Sequence, residues 1–275
     1  MLYNILFNPN YINTIIMKSG FMGYVRKINA IQWNNGNYKT IEEECVEDKH
    51  AYLFIDNLPP RKFATYPRDL DDFAVGYCLG EGLIKNYQDI ETIKINKTDI
   101  KITTKYCHEK NETKEPQGIE SDSAGGLRSK LNKIEVVESD LKIDASKIIK
   151  DMIHLKENAI IWSKTGGVHV AQLICEDNCI IREDVSRHVA VDKVIGAACR
   201  ENYNFSKSYI SYSGRMPSDM LAKIIRVKIP IIISNAAPAS SGIDMASEGN
   251  ITMIGFVREN RFTVYSAPER INFDK

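Results

Sequence analysis

The segment R-E-D-V-S-R-H-V-A-V-D-K-V-I-G, residues 182–196, decides the fold of this 275-residue chain because it leads from a polar stretch into a helix. One apolar helix face is indicated by residues that recur every three or four positions: Val191, Val194, Ile195 and Ala198. The charged residues around the start of the helix are predicted to lie on a polar loop after a strand: Glu183, Asp184, Arg187 and His188. Such turns favour anionic ligands, because free backbone N–H groups and the helix dipole point toward them. The alternative is that the acids only cap the helix and pair with the arginines at the surface.

Beyond this segment, residues 146–275 alternate short apolar strands with helices, which predicts parallel crossovers in an α/β domain. The predicted strands are 159–162, 168–174, 179–182, 208–212, 229–234, 251–257 and 262–265, and the other predicted helices are 146–158, 217–227 and 239–248. Hairpin turns between some of these strands add antiparallel neighbours. We therefore predict a mixed sheet flanked by helices.

The first half of the chain is predicted to be a smaller β-rich part. Residues 24–66 alternate apolar and polar positions, which is typical of a small antiparallel sheet, and residues 90–106 predict a hairpin. Between them lies one helix, which Gly80 and Gly82 end. Residues 107–127 form a polar, aperiodic loop that we predict to be flexible. The predicted divisions are an extension at 1–23, a β-rich region at 24–145 and the α/β domain at 146–275.

The composition limits the partners and the location of the protein. Lysine plus arginine and aspartate plus glutamate both number 36, so no global field attracts nucleic acid or an anionic membrane, and we expect neither as a partner. Residues 1–17 carry no charge, but asparagines and Pro9 interrupt them and no cleavage site follows, which argues against a signal peptide. We therefore expect a cytoplasmic protein with reduced thiols, in which Met17 or Met22 can be the true start.

Four turns of the predicted α/β domain are rich in glycine, serine, asparagine or arginine: 165–169, 213–215, 234–238 and 258–261. Turns that follow successive strands of such a sheet meet at one edge, so these can line a single pocket. Small residues let backbone N–H groups approach a phosphate, and Arg215, Arg258 and Arg261 can each bind it through two hydrogen bonds. We predict a ligand that carries phosphate. Ordinary turn chemistry is the alternative for each turn taken alone.

Several reaction classes lack their motifs. The chain contains no Walker lysine loop, no dinucleotide-binding G-x-G-x-x-G and no H-E-x-x-H, and Ser213 lacks the G-x-S-x-G elbow of serine hydrolases. No second pair of cysteines or histidines stands at zinc-ligand spacing, so no metal site is expected. His169 is a candidate general base or an ordinary hydrogen-bonded core histidine.

Segments at residues 66–84, 165–171, 183–196, 213–215, 234–238 and 255–265 resemble, in this order, the FdhD family of formate dehydrogenase accessory sulfurtransferases. The block E-D-V-S-R-H-V-A-V-D-K is the specific part of the likeness. The resemblance implies a cytidine-deaminase-like core and a homodimer. It also implies that the protein carries sulfur from a cysteine desulfurase to the molybdenum or tungsten bis-pterin guanine dinucleotide cofactor, before that cofactor enters the formate dehydrogenase catalytic subunit. The cofactor is then a bound client, and the protein has no cofactor of its own.

The family pattern assigns cofactor binding to residues 256–261, and the turns and the opening segment supply the other candidates. The resulting binding set is Phe256, Val257, Arg258, Glu259, Asn260, Arg261, Gly166, Gly167, His169, Asp184, Arg187, His188, Asp192, Lys193, Ser213, Arg215 and Ser234. The residues of the opening segment are expected to form or support the pocket without a covalent role.

The chain departs from the family at the loop that carries sulfur. The family holds a persulfide on a C-G-x-C-G-like motif, and the corresponding positions here are Ser121, Asp122, Ser123 and Ala124. Serine cannot replace cysteine, because persulfide transfer needs a thiolate that holds and releases sulfur. A smaller departure is Ser186, which stands where the family usually has glycine.

Three interpretations follow from this departure. In the first, the protein binds the cofactor and delivers or protects it, while sulfuration is lost or done by a partner. In the second, Cys107 has taken over, since it begins the same loop beside His108, an imidazole that favours a thiolate; the simpler alternative for Cys107 is a strand-end residue without function. The third is an unrelated nucleotide-binding module on the same fold.

Overall fold

The computed structural model of the chain describes residues 24–108, 119–120, 127–128, 131 and 133–273. Its first part contains one helix and eight strands, two of them very short. In chain order they are β1 (Val25–Asn34), β2 (Asn37–Val46), β3 (Lys49–Ile55), β4 (Arg61–Thr65), α1 (Leu70–Gly80), β5 (Ile90–Asn96), β6 (Asp99–Thr104), β7 (Ile119–Glu120) and β8 (Leu127–Arg128). The helix and the 90–106 hairpin therefore form where the sequence predicts them.

The N-terminal strands do not form the single antiparallel sheet predicted for residues 24–66. β1 and β2 form a separate two-stranded hairpin, whereas β3 and β4 join β5 and β6 in a sheet of order β4-β3-β6-β5. β3 and β6 run parallel in this sheet, with Leu53 beside Ile100 and Ile55 beside Ile102. The prediction was wrong because β3 pairs with β6, a strand far away in sequence. The alternation of apolar and polar residues within a strand does not show which strand lies beside it.

The second part is a mixed α/β arrangement. Its elements are β9 (Ile143–Asp144), α2 (Ala145–Glu157), α3 (Ile160–Thr165), β10 (His169–Cys175), β11 (Asn178–Asp184), α4 (Arg187–Arg200), β12 (Ser208–Tyr212), α5 (Ser218–Arg226), β13 (Ile231–Ser234), α6 (Ser240–Glu248), β14 (Thr252–Arg258), β15 (Arg261–Ser266) and β16 (Ile271–Asn272). The main sheet has the order β11-β10-β12-β13-β14-β15. β12, β13 and β14 are parallel, and the other pairs are antiparallel. The predicted mixed sheet is confirmed, and the likeness to cytidine deaminase stays a prediction.

Helices cover both faces of the main sheet. One core cluster joins α4 and α5 to one face and includes α1 and the inner face of the four-stranded sheet. A second cluster lies on the opposite face, where Ile148, Met152 and Leu155 of α2 pack against the sheet. Both parts of the chain contribute residues to the first cluster, so the hydrophobic core is continuous across the domain boundary predicted at residue 146. That boundary remains a prediction.

One predicted strand is a helix. Residues 159–162 are rich in β-branched and aromatic side chains, yet Ile160–Thr165 forms α3. The carboxylate of Glu183 accepts hydrogen bonds from the backbone N–H groups of Ile161 (3.0 Å) and Trp162 (2.7 Å). A distant side chain therefore satisfies the N–H groups that a helix start leaves free, and this contact overrides the local preference for a strand.

α1 and α4 cross at unusually close range. A Cβ atom on Gly76 would lie 1.8 Å from the backbone oxygen of Asp192, and one on Gly196 would lie 1.8 Å from that of Asp72. Only glycine fits at either position, because these distances are far shorter than a van der Waals contact. The crossing fixes α1, and with it the N-terminal sheet, against the helix that follows β11.

Candidate functional site

Strand ends meet along one edge of the main sheet, here called the rim. β11, β12, β13 and β14 end at the rim and β10 and β15 begin there, because of the directions in which they run. The side chains of His169 and Ser213 contact each other (Nδ1 to Oγ, 3.2 Å), and Ser234 Oγ donates to the Gly214 carbonyl (2.7 Å). Arg258 Nη1 donates to the Asn235 carbonyl (2.7 Å). The structure thus brings the four predicted turns together.

Three helices also begin at the rim. α4 follows the end of β11, α5 follows β12 and α6 follows β13, so each starts beside the turn that closes its strand. The first N–H groups of a helix lack partners within the helix, and the helix dipole makes this end positive. Arg215, Arg258 and Arg261 are exposed close by. The rim therefore combines backbone donors with positive charge, which suits an anionic ligand.

The segment predicted from the family pattern contains a β-bulge. The pairing of β14 with β15 shifts register between Gly255 and Arg258, and Phe256 has a φ of 52°. A phenylalanine at positive φ is strained, so the surrounding contacts must hold it there. Its N–H donates to the Ala236 carbonyl (3.2 Å), and 39% of the side chain is exposed. Val257 instead points into the second core cluster, so it does not line the rim.

The charged residues of the opening segment are buried beneath the rim. Lys193 and Asp184 have no exposed surface, and the Lys193 ammonium donates to the Asp184 carboxylate (2.7 Å) and the Tyr66 carbonyl (2.8 Å). Asp192 is equally buried and pairs with Lys223, whose ammonium also donates to the His188 carbonyl (3.2 Å). These side chains hold the helix and the turn in place and do not reach the surface.

None of the four residues predicted on the polar loop lies on a loop: Glu183 and Asp184 end β11, and Arg187 and His188 form the first turn of α4, where both are buried. His188 Nε2 lies 3.1 Å from the Asp219 carboxylate of α5. Burial would raise the pKa of Asp219, but the hydrogen bond and charge of His188 outweigh it and lower this pKa to about 2. The loop prediction was wrong because α4 begins directly after Ser186. His188 can be buried there because its ring meets the Asp219 carboxylate of α5 inside the protein.

The glycine turn at residues 165–169 serves more than one purpose. A Cβ on Gly167 would lie 2.7 Å from Val46 Cγ1, so this glycine lets β2 pack closely. Gly166 caps α3 with a φ of 62° and has open space around it. Burial, and then the nearby Arg187, lower the pKa of His169, so its ring is neutral at pH 7. A neutral ring can accept or donate one hydrogen bond at the rim.

A small pocket beside the rim contains residues that are absent from the predicted binding set. It is lined by Met152, Leu155, Lys156, Trp162, Val170, Ser213 and Asn235. Trp162 was assigned to a strand, and Asn235 lies in a predicted turn from which only Ser234 was chosen. Asn235 could have been predicted from the sequence, because it comes directly after the end of a predicted strand. Trp162 could not, because it reaches the pocket only as part of helix α3.

The described cysteines differ in exposure. Cys107 is exposed after β6, with its Sγ 3.8 Å from the Thr104 carbonyl, while Cys78, Cys175 and Cys199 are buried. The next residue, His108, has its Nε2 2.8 Å from the Leu83 carbonyl, which fixes the orientation of the ring. The positions of the family's sulfur-carrying motif, 121–124, lie outside the described residues. Among the residues the structure describes, none form a cluster of three or more potential metal ligands.

Comparisons with known proteins agree with the likeness seen in the sequence. The model of the FdhD/NarQ family matches residues 46–272. The sulfur carrier protein FdhD of Methanothermobacter thermautotrophicus is 41% identical over 252 residues, which cover 91% of this chain and 100% of that protein. The protein FdhD of Methanocaldococcus jannaschii is 31% identical over 245 residues, 88% of this chain and 97% of that protein.

A solved structure shares the fold. It is the crystal structure of a protein from Desulfotalea psychrophila described as a formate dehydrogenase accessory protein, with a TM-score of 0.73 and 23% identity. The match covers 90% of this chain and 100% of that one. No helix in the described part of the chain is both long and apolar enough to cross a membrane. The extent of the family match and the identity to the relatives show that this chain belongs to the FdhD/NarQ family.

Proposed function

We propose that this protein is an accessory protein of formate dehydrogenase that binds the molybdenum or tungsten bis-pterin guanine dinucleotide cofactor at the rim and supports its sulfuration before insertion. The names of the relatives support the accessory role and the link to sulfur. In this proposal the protein works in the cytoplasm as a homodimer, with a cysteine desulfurase and the formate dehydrogenase catalytic subunit as partners.

The convergence of three helix starts and exposed arginines at the rim carries the proposal. A guanine dinucleotide presents phosphates, and these accept hydrogen bonds from backbone N–H groups and from the planar guanidinium group of arginine. The buried pairs Lys193–Asp184 and Lys223–Asp192 fix the start of α4 beneath these donors. Because the donors are held before binding, little ordering free energy is lost when the ligand arrives.

GDP, the nucleotide half of the cofactor, is expected to raise the melting temperature of the protein. A ligand that binds only the folded state and is present at 100 times its Kd adds about 2.7 kcal/mol of stability. For a chain of this size that corresponds to a rise of about 5 to 10 °C. Differential scanning fluorimetry with millimolar GDP measures the rise, and Arg215→Ala is expected to reduce it strongly.

Lys150→Ala is the matched control, because Lys150 is exposed on α2 and its loss removes one positive charge without touching the rim. It should leave the GDP effect unchanged. No rise for the unmodified protein, or equal reductions in the two variants, would contradict binding at the rim.

Sulfur transfer by this chain requires a thiol outside the family's usual motif, and the exposure of Cys107 favours that residue. Its thiolate would attack the outer sulfur of the desulfurase persulfide, form a Cys107 persulfide and release the desulfurase cysteine as a thiolate. After incubation with a cysteine desulfurase and cysteine, intact-mass spectrometry should detect one added sulfur atom. The increment should vanish in Cys107→Ser and persist in Cys45→Ser, a change at a half-buried thiol.

Absence of any added sulfur would leave the cofactor-binding role without sulfur transfer. In that case the protein delivers or protects the cofactor, and a partner performs the sulfuration. An unrelated nucleotide-binding module is the remaining alternative, and a gene deletion that leaves formate dehydrogenase activity intact would favour it.

A further inference from the structure

The sheet of order β4-β3-β6-β5 has one buried face and one face that is open to solvent. Its buried face contributes Leu53, Ile55, Ile100 and Ile102 to the first core cluster. Among the described helices, only α1 makes extensive contacts with this sheet, and its side chains belong to the same cluster. Because side chains alternate along a strand, the residues between and beside these point to the other side of the sheet. Six of them form the surface here called the open face: Tyr52, Phe54, Lys62, Lys94, Asp99 and Lys101.

The open face presents aromatic rings between positive charges. Tyr52 and Phe54 are two residues apart on β3, so their side chains lie on the same side of the sheet, and 39% of Tyr52 is exposed. The ammonium of Lys101 lies 5.7 Å from the centre of the Phe54 ring, and Lys62 of β4 lies beside Tyr52. Exposed aromatic side chains are enriched where proteins bind their partners.

The open face also carries uncompensated positive charge. Lys94 of β5 lies directly opposite Lys101 of β6 in an antiparallel pair, where like charges destabilise a sheet. Neither lysine has an ion-pair partner among the residues that the structure describes. Of the residues paired in register on this face, Asp99 is the single acidic one, although the whole chain has no net charge. A local arrangement that lowers stability is expected at functional sites.

These features favour an acidic segment of a partner protein that also carries apolar side chains. Carboxylates opposite Lys94 and Lys101 would relieve their repulsion, and opposite charges orient a partner as it approaches. A second copy of the same face is a poor occupant, because it would oppose lysines with lysines. Single-stranded nucleic acid also suits lysines and aromatic rings. However, the chain has no net positive charge to attract it, and the residues paired on this face include no arginine, which stacks on flat rings.

We propose that the open face is a docking site for an acidic, partly apolar segment of a partner protein. The carboxylates of the segment pair with Lys62, Lys94 and Lys101, and its apolar side chains cover Tyr52 and the exposed part of Phe54. The open face and the rim belong to different sheets. This site therefore goes beyond the function proposed above, and its failure would leave the function of the rim untouched.

The probe for this site is a fluorescent random copolymer of glutamate and tyrosine, whose anisotropy should rise when the full chain is added. Raising the salt from about 0.1 to about 1 M should weaken binding, because the Debye length falls from about 10 to about 3 Å. Lys101→Glu is expected to raise the Kd at least about tenfold, since it opposes like charges across the interface. Lys150→Glu makes the same charge change on the exposed side of α2 and should leave the Kd nearly unchanged.

Misfolding does not explain the expected loss in Lys101→Glu. The new carboxylate lies opposite Lys94 and replaces a repulsive pair with an attractive one, so the melting temperature should not fall. No binding of the copolymer to the unmodified protein, or equal weakening in the two variants, overturns the proposal. A single-stranded oligonucleotide that binds more tightly than the copolymer, and is lost in Lys101→Glu, would assign the open face to nucleic acid and also overturns it.

A second test locates the copolymer without any variant. An amine-specific acetylating reagent modifies exposed lysines, and mass spectrometry measures the rate at each position. The copolymer should slow the modification of Lys94 and Lys101 several-fold and leave that of Lys150, which is also exposed, unchanged. Unchanged rates at Lys94 and Lys101, or equal protection of Lys150, overturns the proposal.

Discussion

Gly76→Ala should destabilise the protein by about 3 kcal/mol or more, at the upper end of the cost of overpacking a core. The added methyl group would lie 1.8 Å from the Asp192 carbonyl oxygen, and neither helix can move without disturbing the buried pairs beside the crossing. A change from glycine to alanine within a helix normally stabilises it by up to about 1 kcal/mol. A large loss of stability would therefore show that the close contact between α1 and α4 leaves no room for the added methyl group. Urea unfolding followed by circular dichroism measures it.

Gly80→Ala is the matched control for this change. Gly80 lies on the same helix, and its Cβ would meet only the aliphatic part of the Lys223 side chain, at 2.8 Å and beyond. These are side-chain and not backbone atoms, but Lys223 is held by its buried pair with Asp192, so a smaller loss of about 1 to 2 kcal/mol is expected. Equal losses at the two positions would show that the backbone contact does not determine the cost.

Lys193→Met is expected to cost about 3 to 5 kcal/mol at pH 7, the usual cost of breaking a buried ion pair on one side. Asp184 would remain buried, with hydrogen bonds from Thr65 Oγ and the N–H groups of Tyr66 and Ser186 but without a positive partner. Lys150→Met, which changes an exposed lysine, should stay within about 0.5 kcal/mol of the unmodified protein.

The loss in Lys193→Met should also depend on pH. Burial already raises the pKa of Asp184, and the neighbouring Lys193 opposes this rise, so its removal raises the pKa further. A carboxyl group with a raised pKa in the folded state stabilises the fold when protonated, and this contribution is lost as the pH rises through that pKa. Unfolding at pH 4.5 and pH 7 should therefore show a smaller loss at the lower pH. The same loss at both values would mean that Asp184 is not the unpaired charge.

The sequence predicted the strands and helices of the second part well where periodicity and turn residues agreed. The helix at Arg187–Arg200 was predicted from one apolar face, but it is buried on almost every side. Nothing in its periodicity shows that Asp192 and Lys193 point inward, since their partners Lys223 and Asp184 lie on other elements. Charges at helical spacing have the same pattern whether they meet water or a distant partner.

The sequence predicted which turns form the candidate site, but it did not predict which residues of those turns are exposed there. Strand direction brings the turns to one edge, which follows from the order of strands and helices. Which turn residues are exposed is a tertiary property: Arg258 reaches the surface while its neighbour Val257 enters the core. Trp162 was missed because its helix depends on Glu183, a contact made across the fold.

The close crossing of α1 and α4 also affects the protein during its synthesis. Arg200, at the end of α4, bonds to Asp72 of α1 across 128 residues of sequence. At about 5 to 20 residues per second, a ribosome needs about 6 to 25 s to make that interval. During this time α1 leaves the ribosome with its apolar side chains and its two aspartates unpartnered. The nascent first half therefore offers an exposed apolar helix to chaperones before its own partner exists.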